Sequence, residues 1–338
     1  MSQKRYEEID IAKGLGIILV ILGHCVYYGG FTCRWIFSFH MPLFFFLSGI
    51  FFKGYSFRQY FEKKFKSMFI PFVFFIIFGG CFTFLIPEWR SEIGLKQLLV
   101  DVYYGSPSIV KMISLWFLIC LAWVEVIALF VVRIKKVINQ ILCICAIFLL
   151  GLIVEYYYCN FNMIRLPLKI DSALIAIFFF YIGYLINIDK IKNTYEGLKF
   201  WEVLIVQILL FTITILISNK NGMVNLANIQ INNVILYLLG SVLGILLVIS
   251  VSFGVMRKMN YIKRCIVYIG KNSLDFMGFQ SVYYYLGVYL INKIMHKSYE
   301  VMALPVSLVI PLFIFVFLIT FASTYIKNKI ISFIKYRG

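Results

Sequence analysis

Charge is the scarcest commodity in this chain. Only 14% of its 338 residues are Asp, Glu, Lys or Arg, against about a quarter in a soluble domain. Acidic residues number 15 and histidines three. Prolines number seven, and regular ten-residue alternating segments separated by turns are lacking, which excludes an outer-membrane barrel. No long polar segment interrupts the hydrophobic runs, so no soluble module is expected beside them. No CxxC pair occurs, and Cys143 and Cys145, two apart, would point to different sides of a helix, which excludes a thiol metal or redox pair. No A-x-A cleavage pattern follows His24, so the first apolar segment reads as a retained helix rather than a cleaved signal. There is no internal repeat and no low-complexity tract.

What remains is hydrophobic. The apolar fraction is 62% and the aromatic fraction 19%, and apolar runs fall at about 11–29, 36–52, 68–86, 112–132, 137–158, 171–188, 201–218, 233–256, 272–292 and 303–326, each near the length that crosses a bilayer as a helix. The expected fold is an all-α integral membrane protein, a bundle of about ten transmembrane helices forming one domain over residues 1–338. The formal charge of +17 does not mark a nucleic-acid surface, because the cations cluster in short segments between apolar runs. About 23 of the 32 Lys and Arg fall in alternate loops, among them Lys4, Arg5, Lys53, Arg58, Arg133, Lys135, Arg257, Lys258, Lys327, Lys335 and Arg337, which places both termini in the cytoplasm. Residues 87–111 form the longest gap, expected to be an outer loop and a candidate lid. Cys33 and Cys159, near outer loops, form the one disulfide pairing to test.

Within this apolar background Asp10 to Gly49 stands out. Lys13 and His24 are ionisable groups in a membrane-length run, where each costs roughly 2.5–3.5 kcal/mol. Eleven residues apart on a helix, they share one stripe about 16 Å apart along the axis, with Gly16 and Val20 between them. Asp10, three residues before Lys13, can orient its ammonium or cap the helix. His40 enters the second span near its start, which Pro42 marks, at a depth similar to His24. A cation at the inner end suits a phosphorylated donor, with Lys63, Lys64 and Lys66 adding positive potential, and a deep neutral imidazole suits proton abstraction from a hydroxyl. Trp116 is placed either along an acyl path or in the outer aromatic belt. Glu125 falls inside a span and must be paired or protonated. Arg34, Arg165, Lys169 and Asp171 lie near outer ends, where an acceptor would arrive, and read singly as solvated charges.

These motifs resemble one family. Asp10-x2-Lys13-x10-His24, then Phe39-His40-Met41-Pro42-Leu43-Phe44-Phe45 with Ser48-Gly49, resembles the opening of the membrane-bound acyltransferase 3 family, whose first span carries Arg or Lys, ten residues, then His. Lys63-Lys64-x-Lys66 with Pro71, Leu115-Trp116-Phe117-Leu118, Tyr181-Ile182-Gly183-Tyr184 and Ile269-Gly270-Lys271-Asn272-Ser273-Leu274 continue the resemblance in the family's order. It implies transfer of an acyl group, most often acetyl, from cytosolic acyl-CoA to a hydroxyl of an extracytoplasmic glycan, without a metal, in a bacterial cytoplasmic membrane. It further implies His24 as the catalytic residue, as general base or as an acylated relay, and Lys13 at the donor. Where the family often carries His after "NSL", this chain has Gln280. No C-terminal hydrolase-like domain is expected. The rival readings are a transporter or flippase for a glycan or its lipid-linked precursor, and a non-catalytic assembly subunit.

Overall fold

The computed structural model describes residues 6–161, 164–255 and 260–337. Of the cations used above, Lys4, Arg5, Arg257 and Lys258 lie outside the described residues, as do the side chains of Lys335 and Arg337. The described chain is helical: α1 (Glu7–Cys25), α2 (Phe31–Ile50), α3 (Phe57–Lys64), α4 (Ile70–Leu85), α5 (Pro87–Arg90), α6 (Leu95–Tyr104), α7 (Trp116–Val131), α8 (Val137–Phe161), α9 (Ile170–Leu185), α10 (Ile188–Gly197), α11 (Phe200–Asn221), α12 (Val234–Ser250), α13 (Asn260–Lys271), α14 (Ser273–Met295) and α15 (Val306–Arg337). Among the described residues eight helical stretches are long and apolar enough to cross a membrane. The other two expected runs are also helices, α1 and α14, but they carry more polar residues.

The chain divides into two compact units. One comprises Met1–His40, Asp189–Met223 and Asn232–Gly338; the other comprises Met41–Ile188 and Val224–Ile231.

In the first unit α1 packs on α13. A Cβ on Gly270 would fall 1.7 Å from the Asp10 carbonyl oxygen, and one on Gly14 would fall 2.3 Å from that of Ile266. Only glycine permits such an approach, which brings Ile11, Ile266 and Val267 into one buried cluster flanked by Leu15 and Ile18. Lys263 pairs with Glu7 at 2.5 Å and Lys192 with Glu8 at 3.3 Å, tying α13 and α10 to the first turn of α1. Residues 257–271 read as an inner loop from sequence. The described part of that stretch is a helix instead, with Ile266, Val267, Ile269 and Gly270 buried and Lys and Arg elsewhere around it.

In the second unit α2 and α9 meet at another glycine pair. A Cβ on Gly49 would sit 1.9 Å from the Phe180 carbonyl oxygen and one on Gly183 would sit 2.0 Å from that of Phe46. Ser56 and Gln59 form a capping box that starts α3. The basic turn expected as a loop is therefore helical, and it joins α4 through a wide turn at Phe65–Phe69 just before Pro71, which has no N–H to donate. The 87–111 gap is likewise built, with α5, α6 and a left-handed Gly105 (φ 63°) ending α6. Asp101, buried, accepts from the Ile109 amide at 2.6 Å, Ser108 Oγ at 2.7 Å and Gln97 Nε2 at 2.9 Å, which pins the segment down.

Pro42 does not start a helix. α2 begins at Phe31, so Pro42 is interior and leaves the Ser38 carbonyl without its helical donor. Ser241 Oγ of α12 donates to that carbonyl at 2.7 Å and restores the missing bond. All eight cysteines are unpaired thiols, Cys33 buried and Cys159 exposed, so the suggested disulfide is not formed.

Replacing Gly270 with alanine is expected to lower the thermal midpoint of the purified protein by several degrees, because backbone must move to admit the methyl group. Gly197→Ala at the end of α10, with nothing within 4 Å of the new Cβ, is expected not to lower it; equal midpoints for the two variants would discount the α1–α13 contact.

Candidate functional site

α1 is unbroken from Glu7 to Cys25, so helical geometry alone puts Lys13 and His24 on one stripe. The residues between them on that face are covered: Ile17 is 1% and Val20 7% exposed, and Gly16 is buried. The stripe therefore faces protein. Lys13 and His24 themselves are only half-buried, in contrast to the buried Gly23 and Cys25 beside His24. Asp10 is buried one turn before Lys13, at the point where Gly270 closes on the helix.

At the other end of the stripe two imidazoles contact one ring. The His24 ring centroid lies 6.1 Å from that of Phe37, and Phe37 lies 4.7 Å from His40. Tyr284 of α14 approaches His24 from another side at 6.1 Å. His40 sits in the third turn of α2, not at its start, and its Nδ1 is 2.9 Å from the Ile36 carbonyl oxygen. A carbonyl can only accept, so Nδ1 carries the proton and a neutral His40 keeps Nε2 as its basic nitrogen. Among the described residues His24 makes ring contacts but no hydrogen bond, leaving a nitrogen able to meet a hydroxyl.

Gln280 lies one turn before Tyr284 on α14. Its Nε2 contacts the Met277 carbonyl at 3.5 Å, while its Oε1 is buried without a hydrogen-bond partner among the described residues. Phe37 and Tyr284 were not singled out from sequence, since one aromatic among so many carries no distinguishing signal. Arg34 donates to the Gly29 carbonyl at 2.6 Å and so closes the turn between α1 and α2.

The remaining candidates belong to the second unit. Lys64 donates to Glu125 at 2.5 Å, and Tyr60 donates to the same carboxylate at 3.2 Å. Glu125 is thus paired, as a carboxylate inside a span requires. Lys63 meets the Tyr55 hydroxyl at 2.5 Å, and both Lys63 and Lys66 are exposed. Trp116 is 6% exposed and packs edge-on against Phe117, so it is an interior residue rather than part of an exposed aromatic belt.

Arg165, Lys169 and Asp171 are not the solvated charges expected of an outer loop. All three are buried. Arg165 grips Asp171 with two bonds, Nε at 2.8 Å and Nη2 at 3.0 Å, and turns Nη1 to the Ala227 carbonyl at 2.9 Å and to Asn228 at 3.3 Å. Ser172 Oγ donates to the Leu226 carbonyl at 2.9 Å. The short Val224–Ile231 segment, whose ends pair at Asn225 and Gln230, supplies the carbonyls that make this burial tolerable.

The helices define a multi-pass helical membrane protein with polar side chains turned inward. A family model for the acyltransferase 3 domain matches residues 6–327. The chain belongs to that family, and membership makes it a membrane acyltransferase. No curated protein and no solved structure matches it.

Glu125→Ala leaves the Lys64 ammonium without its carboxylate and the Tyr60 hydroxyl with the Ala122 carbonyl as its remaining acceptor, and is expected to destabilise the protein by up to about 3 kcal/mol, less than a fully enclosed pair because Lys64 is 24% exposed. The double variant Lys64→Met with Glu125→Gln is expected to recover most of that loss in the same thermal measurement, since no charge then stays uncompensated.

Proposed function

We propose that the protein is an O-acyltransferase that carries an acyl group, acetyl in the first instance, from cytosolic acyl-CoA to a hydroxyl of an extracytoplasmic polysaccharide or glycan. The reading includes ten crossings, the eight long apolar helices with α1 and α14, with both termini inside a bacterial cytoplasmic membrane. The observation that carries it is the protein-covered stripe of α1, with a cation near one end and an imidazole at the other. About 16 Å along the helix axis is comparable to an extended pantetheine arm, so a donor whose phosphates sit by Lys13 would carry its thioester toward His24. Asp10 would hold the Lys13 ammonium in position, and Lys63 and Lys66, both exposed, would draw the phosphates to the inner face.

The chemistry is acyl transfer. The acceptor oxygen forms a bond to the thioester carbonyl carbon as His24 takes the hydroxyl proton; the carbon–sulfur bond then breaks and coenzyme A leaves as the thiol, its proton returned by the imidazolium. His40, whose ring also meets Phe37, would assist through its Nε2. If the acyl group first rests on His24, the same atoms move in two displacements.

His24→Ala is expected to abolish acylation of the surface glycan while the protein inserts at normal levels, and Lys13→Ala to raise the KM for acyl-CoA by about tenfold or more, read by mass spectrometry of the glycan and by kinetics in membranes. Wild-type acylation by the His24 variant would overturn the assignment. Loss of the glycan itself, rather than of its modification, in cells lacking the protein would favour a flippase.

A further inference from the structure

The cluster around Arg165 holds two cations and one carboxylate, and the arithmetic does not close within the protein. Arg165 is saturated: its Nε and both terminal nitrogens are engaged with Asp171, Ser172, Ala227 and Asn228. Asp171, 0% exposed, accepts that bidentate grip and also the Ser172 amide at 2.7 Å. Lys169 is 3% exposed, yet its one hydrogen bond among the described residues goes to the Ala227 carbonyl at 2.9 Å, an oxygen already taken by Arg165. An ammonium has three protons to give. No carboxylate among the described residues forms an ion pair with Lys169. The charged groups acting on it are Arg165 and Asp171, with the Cys120 thiol of α7 as the other ionisable neighbour.

The backbone that delivers this side chain is unusual. Leu168 and Lys169 are consecutive left-handed residues, at φ 52° and φ 59°, and each such residue costs about 1–2 kcal/mol when it is not glycine. A lysine serving only as a link to Ala227 would gain little from that arrangement, since the Arg165 guanidinium already holds the same carbonyl.

We propose that Lys169 receives an oxyanion, a phosphate or carboxylate carried by the acceptor, against the Arg165–Asp171 pair. The inference rests on the acyltransferase reading and narrows its acceptor to an anionic glycan or a phosphate-linked one. The ligand's negative charge completes a cluster that otherwise keeps one buried positive charge uncompensated, and its oxygens take the two remaining ammonium protons.

The test is anion binding without any acyl donor, so it stands apart from transfer itself. Purified wild type, Lys169→Met and His24→Ala are held in phosphatidylcholine nanodiscs and titrated with inorganic phosphate or glucuronate. A parallel set without added anion uses phosphatidylglycerol nanodiscs. The thermal midpoint of wild type and of His24→Ala is expected to rise by a few degrees with a bound anion, and that of Lys169→Met to stay fixed. Lys169→Met without anion is expected to match or exceed the wild type, because an uncompensated buried charge has been removed. A response to phosphatidylglycerol alone would assign the oxyanion to a lipid headgroup and overturn the acceptor assignment. A Lys169→Met protein that is destabilised, beside a wild type indifferent to every anion, would make the lysine a structural link and end the proposal. Anion binding by a His24→Ala protein with no transfer would leave this inference intact whatever became of the catalytic one.

Discussion

Everything near the candidate site follows from one constraint: a polar side chain on a membrane helix must be covered by protein. Beyond the Glu7–Glu8 start, α1 carries Asp10, Lys13 and His24 among Ile, Leu, Val, Ala, Gly and the terminal Cys25, and it meets the constraint by drawing other helices tightly around it. The closest approach is at Gly270, where a second helix touches the backbone of the Asp10–Gly14 turn. Glycine on both sides gives up side-chain packing for backbone proximity. That exchange suits a bilayer, where van der Waals contact between helices replaces the hydrophobic drive available in water.

The same constraint governs the small repairs elsewhere. Pro42 opens a gap in α2 two residues after His40, and Ser241 fills it from α12 with a single hydroxyl. His40 Nδ1 donates to Ile36, so the ring is held by its own helix and its orientation does not depend on the proline gap. In the second unit Glu125 is met by Lys64 and Tyr60 together, a cation and a hydroxyl from α3 closing on one carboxylate of α7. The His40–Ile36 bond keeps an imidazole rigid beside Phe37; the Glu125 cluster anchors the amphipathic α3, whose opposite face, with Phe57, Arg58 and Phe61, is exposed.

Hydropathy made the long helices legible, because α8, α11 and α15 as far as Ile326 are nearly uniform apolar runs and burying their backbone hydrogen bonds leaves no alternative to a helix. It failed where charge and apolar residues alternate at helical spacing. α13 holds Lys263, Arg264 and Lys271, and reads as an inner loop until Ile266, Val267 and Ile269 are seen to face α1. Lys13 and His24 were legible because spacing on one helix is a local property. The burial of Arg165, Lys169 and Asp171 was not, since it depends on carbonyls of Ala227 and Leu226 more than fifty residues away. A disulfide between Cys33 and Cys159 looked open for the converse reason: sequence gives proximity to loops but not the direction in which a thiol points.

Gln280 brings these threads together. A histidine at that place would add a third titratable ring along α14; glutamine adds an amide that cannot exchange a proton near neutral pH. The imidazoles at this end of α1 are His24 and His40, each in contact with Phe37. What the amide does offer is a buried acceptor oxygen without a hydrogen-bond partner among the described residues, one turn from the tyrosine that packs against His24. An orphaned buried acceptor costs about 1–3 kcal/mol, in contrast to the Ser38 carbonyl, which the same bundle repairs with a dedicated serine.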